Sequence, residues 1–209
     1  MNFSKVKPEA VLAELFGTFA LSLAVLASIW GFLPIVPTLV VAGGVLGLYT
    51  LAFGSASGAH LNPAITLGLY SLKKIDAAKT VAYLIVQITG ALLAMLVMSM
   101  FLQGELIGQL SVTADYATFF AEFLGTFFFG MGVAAAVHQK AKGAEAALLV
   151  GGSLSLGILF ASLGSNGLLN PAVATAVSSL NWSYVLGPIA GSVIGMSVYA
   201  AAFGKKGKI

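Results

Sequence analysis

Six apolar runs, each close to the length that crosses a lipid bilayer, dominate this chain of 209 residues. A transmembrane helix needs about 20 consecutive apolar residues. Hydrophobic residues make up 59% of the sequence and charged residues only 8%, which excludes an ordinary water-soluble domain. The sequence therefore predicts an all-α integral membrane protein, a single domain over residues 1–209, with spans at 9–31, 35–55, 77–101, 116–138, 144–163 and 183–203.

Two further apolar segments, "LNPAITLGLYSL" and "LLNPAVATAVSSL", are about half as long as a span. They belong to an internal repeat. "AELFGTF" at 13–19 recurs as "AEFLGTF" at 121–127, and "LNPA" at 61–64 recurs at 169–172, both pairs 108 residues apart. Two matches at one distance indicate a duplicated unit of span, span, half-span and span.

Repeat one covers about 9–101 and repeat two about 116–203. Because each unit holds an odd number of full spans, the second must enter the membrane from the opposite face, so the repeats are inverted. Basic residues stay on the cytoplasmic side of a membrane. With both termini inside, every basic residue is cytoplasmic: Lys5, Lys7, Lys73, Lys74, Lys79, Lys140, Lys142, Lys205, Lys206 and Lys208.

The loop from about 102 to 115, which holds Glu105 and Asp115, would then lie outside the cell or compartment. The net charge of +3 is small, and the lysines of the chain lie beside apolar runs. Both observations argue against a nucleic-acid partner. The sequence contains no cysteine, no clustered metal ligands, no phosphate-binding loop and no nucleophile paired with a base. We therefore expect neither an enzyme nor a cofactor.

Each half-span opens on an asparagine followed by proline, which is a strong signal for the start of a helix. The asparagine oxygen caps the first turn, and proline fits there because its missing N–H would have no partner. Either pair alone could start an interfacial helix, but the shared repeat distance favours two half-helices that meet at the bilayer centre. Each asparagine NH₂ group would then be free to donate into a cavity. The motif residues are Asn62, Pro63, Ala64, Asn170, Pro171 and Ala172.

"SGAHLNPAITLG" at 57–68 and "LLNPAVAT" at 168–175, together with "AELFGTF" and "AEFLGTF", closely resemble the aquaporin or major intrinsic protein family. The resemblance covers nearly the whole chain. It implies a right-handed bundle of six helices and two re-entrant half-helices, assembled as a homotetramer with one pore in each protomer. It also implies passive conduction of water or small neutral solutes, with ions and protons excluded.

Glu14 and Glu122 occupy equivalent positions in the middle of two spans, where a carboxylate needs a partner. The resemblance implies that they accept hydrogen bonds from the re-entrant loops. A proton relay is the alternative, but no second titratable residue lies in the middle of the same spans. The resemblance also places His60 near the cytoplasmic vestibule, where it either lines the path and responds to pH or bonds within its own loop.

One part of the family pattern is missing. The family's second motif normally continues with arginine, and Val173 stands in that position, in a chain without any arginine. Counting from the motifs, the resemblance implies a constriction formed by Ala42, Ile158, Gly167 and Val173. Such a ring is apolar and lacks bulk, unless Phe160 or Leu168 turns inward and fills the space.

The resulting prediction is a channel for water, for small neutral solutes or for both, in the cell membrane or inner membrane. Ammonia, hydrogen peroxide, glycerol and urea are the candidate solutes. The half-helix dipoles would exclude cations in place of the arginine. Two alternatives remain open: an inverted-repeat secondary transporter, which also places broken helices at the midplane, and a membrane scaffold protein with a closed pore.

Overall fold

The computed structural model describes residues 2–32, 36–102 and 114–204. After a short 3-10 turn at Phe3–Lys5, these ranges contain eight helices: α1 (Pro8–Ile29), α2 (Thr38–Phe53), α3 (Pro63–Ser71), α4 (Ala77–Phe101), α5 (Tyr116–Gln139), α6 (Gly143–Ala161), α7 (Pro171–Ala176) and α8 (Trp182–Phe203). The six predicted spans correspond to α1, α2, α4, α5, α6 and α8, and the half-spans to α3 and α7. Glu105, Lys205, Lys206 and Lys208 lie outside the described residues.

Five of these helices are long and apolar enough to cross a membrane, and α2 is shorter. It has 16 residues and runs from Thr38 to Phe53, whereas the sequence predicted a span over 35–55. At a rise of about 1.5 Å per residue, α2 is about 24 Å long, which is less than the thickness of a typical hydrocarbon core.

Polar side chains fix the starts of several helices. Asp76, Asp115 and Asn181 precede α4, α5 and α8, and each accepts a hydrogen bond from a backbone N–H in the first turn. These bonds satisfy donors that a helix start leaves without a partner. Lys7 and Lys142, which precede α1 and α6, provide no such side-chain bond.

Small residues let the long helices pack closely in pairs. In repeat one, α1 packs on α4, and in repeat two α5 packs on α8. A Cβ atom added at Gly90 would collide with the carbonyl oxygen of Leu15, and one added at Gly191 would collide with that of Phe123. Leu15 and Phe123 are equivalent in the repeat, so the same backbone approach is built twice.

Each half-helix packs mainly against long helices of the other repeat. α3 of repeat one packs mainly against α8, and α7 of repeat two packs mainly against α4 and α1. Their N-caps, Asn62 and Asn170, are both buried at the centre of the bundle. The inverted arrangement therefore brings the two "NPA" motifs together.

Candidate functional site

The loop that leads into α3 is held by the buried carboxylate of Glu14. Its Oε1 accepts a hydrogen bond from the His60 backbone N–H at 2.8 Å, and its Oε2 accepts from Leu61 N–H at 2.7 Å and from Gln87 Nε2 at 2.8 Å. Glu14 has no solvent exposure. Three donors thus surround a carboxylate that lipid alone could not solvate.

Glu122 holds the second loop in the same way. It accepts hydrogen bonds from the backbone N–H groups of Leu168 at 3.0 Å and Leu169 at 2.6 Å, and its third donor is the Ser165 hydroxyl at 2.6 Å. Leu61 and Leu169 both adopt left-handed backbone, with φ of 48° and 52°. This conformation lets two successive N–H groups point toward one acceptor, a geometry typical of anion-binding loops.

The two asparagines cap their half-helices as the sequence predicts. Asn62 Oδ1 accepts from Ala64 N–H at 2.8 Å, and Asn170 Oδ1 accepts from Ala172 N–H at 3.0 Å. Pro63 and Pro171 occupy the first helical positions.

The amide groups of these asparagines are not wholly free, which corrects the prediction. Asn62 Nδ2 donates to the carbonyl oxygen of Leu169, and Asn170 Nδ2 donates to that of Leu61, both at 2.9 Å. One N–H of each amide therefore joins the two repeats. The sequence did not reveal this because the accepting carbonyls belong to the opposite repeat, more than 100 residues away.

A cavity of about 200 Å³ lies against the two asparagines, and we call it the apolar cavity. Ala42, Ile158, Gly167 and Val173, the four residues predicted to form the constriction, all line it. Leu168 lines it too, whereas Phe160 is not among its lining residues and packs edge-on against Phe128 with 4.9 Å between ring centroids. None of the described residues that line this cavity is Lys, Arg, Asp or Glu.

A second, larger cavity of about 640 Å³ shares His60 and Phe129 with the apolar cavity. Lys140, Lys142, Thr50 and Ile65 are among its lining residues, and we call it the lysine cavity. His60 lines both cavities and therefore lies where they approach each other. Its Nδ1 is 3.1 Å from the Thr66 hydroxyl, so this histidine lines both cavities and also bonds within its own segment.

Sequence reasoning missed several lining residues. Asn166 and Thr38 add polar groups to the apolar cavity, and Phe129 lies beside both cavities. Asn166 N–H and Nδ2 both donate to the hydroxyl of Tyr184, at 3.2 Å. Asn166 lies four residues before Asn170 in the re-entrant loop, and this position in the sequence could have indicated that it lines the cavity.

The two half-helices meet at Asn62 and Asn170 beside the apolar cavity. The described residues hold no cluster of His, Cys, Asp or Glu that could bind a metal ion. The model of the family "Major intrinsic protein" matches residues 4–199. The chain belongs to this family, whose members are membrane channels for water and small solutes. It is therefore an integral membrane protein and a passive channel.

Individual relatives agree with this assignment. The chain is 31% identical to Aquaporin NIP1-4 of Oryza sativa subsp. japonica, over 92% of this chain and 76% of the relative. It is 32% identical to Glycerol uptake facilitator protein-like 6 of Lactiplantibacillus plantarum, over 88% of this chain and 93% of the relative. The X-ray structure of the aquaglyceroporin from Plasmodium falciparum shares the fold, with a TM-score of 0.67, 21% identity and coverage of 94% and 95%.

Proposed function

We propose that the apolar cavity and the lysine cavity are two parts of one pore, and that residues 1–209 form a single channel domain around it. Ala42, Ile158, Gly167 and Val173 form the selectivity filter of this pore. The main support is that these four residues and both motif asparagines line the same cavity without a charged residue among its described lining. A ring without bulky side chains admits solutes larger than water.

Glycerol, urea, ammonia and hydrogen peroxide are the solutes that we propose beside water. The names of two relatives, an aquaporin and a glycerol uptake facilitator-like protein, support water and glycerol. All four solutes are neutral, which suits a filter whose described lining offers no ionic partner.

Cations are excluded in this proposal by the half-helices and their asparagines. The N-terminal ends of α3 and α7 carry partial positive charge, and the amide N–H groups of Asn62 and Asn170 add donors at the same point. Glu14 and Glu122 do not offset this, since each accepts three hydrogen bonds away from the solute path. Substantial proton or sodium conductance in proteoliposomes would contradict this part of the proposal.

We further propose that both termini face the cytoplasm, with the lysine cavity as the cytoplasmic vestibule, in the cell membrane or inner membrane. The lysines of the chain support this orientation through the positive-inside rule. The assembly is a homotetramer with a pore in each protomer, as in the family that the sequence resembles. Chemical cross-linking of membranes that contain the protein tests the tetramer.

Stopped-flow light scattering on proteoliposomes tests the function. Wild type, Val173→Arg and Val173→Met are compared under water, glycerol and urea gradients. We expect Val173→Arg to lower glycerol and urea permeability at least about tenfold, because a long cationic side chain narrows the ring and adds a desolvation barrier. Val173→Met adds bulk without charge and separates the two causes.

Three outcomes would overturn the proposal. An identical solute profile in wild type and Val173→Arg would show that Val173 is not in the filter. Saturable flux that depends on a coupling ion would indicate a secondary transporter. Swelling no faster than that of empty liposomes would indicate a closed scaffold protein.

A further inference from the structure

The wall of the apolar cavity is hydrocarbon over most of its surface. Beside the filter residues it is formed by side chains that include Leu21, Val25, Leu46 and Leu154. Its polar lining side chains are Thr38, His60, Asn62, Asn166 and Asn170. A solute that crosses this cavity therefore exchanges water for hydrocarbon along most of its surface, and keeps hydrogen bonds at a few positions only.

Asn62 and Asn170 supply amide donors to the lining of this cavity. Both side chains are buried, with exposures of 1% for Asn62 and 3% for Asn170, and both line the cavity. Each NH₂ group has two N–H bonds. Among the hydrogen bonds of the described residues, each Nδ2 makes one, to the carbonyl of the opposite repeat. One N–H on each asparagine is thus left for the solute.

The filter ring offers no comparable group on its side chains. Ala42, Ile158 and Val173 present methyl groups, and Gly167 has no side chain. A solute whose oxygen accepts from the asparagines has its other end against hydrocarbon where that end lies in the ring. A polar group at that end loses its water without gaining a partner, whereas a methyl group loses nothing.

We propose that this pore selects neutral solutes that carry one carbonyl or hydroxyl acceptor and a methyl or methylene part, over solutes of the same size that are polar at both ends. This inference rests on the proposed function and specifies the substrate class of the same site. Acetamide and urea are the matched pair, because they differ only by a methyl group in place of an amino group.

The test compares acetamide and urea permeability in proteoliposomes, with the rates of protein-free liposomes subtracted. We expect the protein-dependent permeability of wild type to be about threefold to tenfold higher for acetamide, the range that corresponds to one hydrogen bond. Val173→Thr replaces a ring methyl by a hydroxyl of nearly the same shape. It should lower the ratio of acetamide to urea permeability by about threefold or more.

Val177→Thr is the matched control. Val177 is buried at the end of the same half-helix, but it is not among the lining residues of the apolar cavity. The substitution makes the same chemical change and should leave the permeability ratio unchanged. If Val173→Thr does not fold, as judged by its water permeability and melting, Ile158→Thr places a hydroxyl in the same ring.

The outcomes separate this inference from the proposed function. A wild-type ratio at or below one would overturn the inference while leaving the channel intact. An equal shift in Val173→Thr and Val177→Thr would also overturn it, because the ring would not be the cause. Absence of any protein-dependent flux, of water or of either solute, would instead overturn the proposed function.

Discussion

The two cavities of this channel are lined by equivalent residues and differ in polarity. Each of the four residues that we propose for the filter has a counterpart 108 residues away that lines the lysine cavity. The pairs are Val150 for Ala42, Thr50 for Ile158, Ala59 for Gly167 and Ile65 for Val173. His60 and Leu168, the first of the two successive residues that bond each glutamate, are also 108 residues apart. The fold thus fixes which positions line the two cavities, and single residues fix the polarity of each cavity.

The two glutamates that hold the re-entrant loops also share a geometry and differ in one bonding partner. Glu14 and Glu122 each bind two successive backbone N–H groups, but their third donor differs. Gln87 on α4 supplies it in repeat one. The equivalent position on α8 is Pro188, which has no donor, and the Ser165 hydroxyl takes its place. The carboxylate geometry is common to the repeats, and the side chain that completes it is not.

The largest expected effect follows removal of either anchoring charge. Glu14→Gln and Glu122→Gln each place an NH₂ group where a carboxylate oxygen accepts, so a buried backbone N–H loses its partner. We expect each variant to lose about 3 kcal/mol of the free energy of unfolding. Denaturation in detergent micelles, followed by circular dichroism, measures the loss.

Glu145→Gln is the control for this pair, because Glu145 is exposed near the start of α6. Its effect should stay within about 0.5 kcal/mol. A large loss in one anchor variant and none in the other would show that the repeats are not equivalently held.

A smaller effect is expected from exchanging the residues that distinguish the cavities. His60→Leu gives repeat one the leucine that repeat two has at this position, and Leu168→His gives repeat two the histidine of repeat one. An apolar constriction loses water more readily, so His60→Leu should lower osmotic water permeability about threefold to tenfold and Leu168→His should raise it. Stopped-flow shrinking of proteoliposomes measures both.

His138→Leu serves as the control, since His138 lines neither cavity. Its water permeability should equal that of wild type. Unchanged permeability in His60→Leu would show that the polarity difference between the cavities does not govern water flow.

The smallest effect concerns the first turns of the two repeats. Asp115 caps α5, whereas Lys7 at the equivalent position gives α1 no side-chain bond. The Thr118 backbone N–H that bonds the Asp115 carboxylate holds its pKa below the usual range. This stabilisation is therefore present above the ordinary aspartate pKa, and is lost as the pH falls through the lowered value.

Asp115→Asn keeps a capping oxygen without the charge. It should change the melting temperature little near neutral pH and flatten the decline of melting temperature as the pH falls below about 5. Lys7→Asp should place a capping carboxylate before α1, so its melting temperature should also decline as the pH falls. Parallel curves for wild type and Asp115→Asn would contradict this account.

Most of the fold could be predicted from the sequence because its signals are local or periodic. Apolar runs give the spans, and the Asn-Pro pairs give the half-helix starts at Asn62 and Asn170. The repeat distance relates the two halves. The family comparisons confirm this class of fold. The bounds of the short α2 were harder to predict, because its flanking residues are apolar as well and hydropathy does not mark where the helix begins.

The site was harder to predict where it depends on contacts between the repeats. No local pattern connects Asn62 with the Leu169 carbonyl, or directs Leu168 rather than Phe160 toward the cavity. These details arise when α3 and α7 pack against helices of the opposite repeat. The roles assigned to the filter residues stay predictions until their solute permeabilities are measured.

The reciprocal bonds between the asparagines and the opposite loops have a consequence for biosynthesis. The first re-entrant segment cannot complete its contacts when it leaves the ribosome, because the carbonyl of Leu169 has not yet been made. At about 5–20 residues per second, the 108 residues between the motifs take roughly 5–20 seconds to synthesise. For that interval α3 lacks the partner carbonyl of Asn62 Nδ2, and the contacts between the two loops form only after residues of the second repeat have been made.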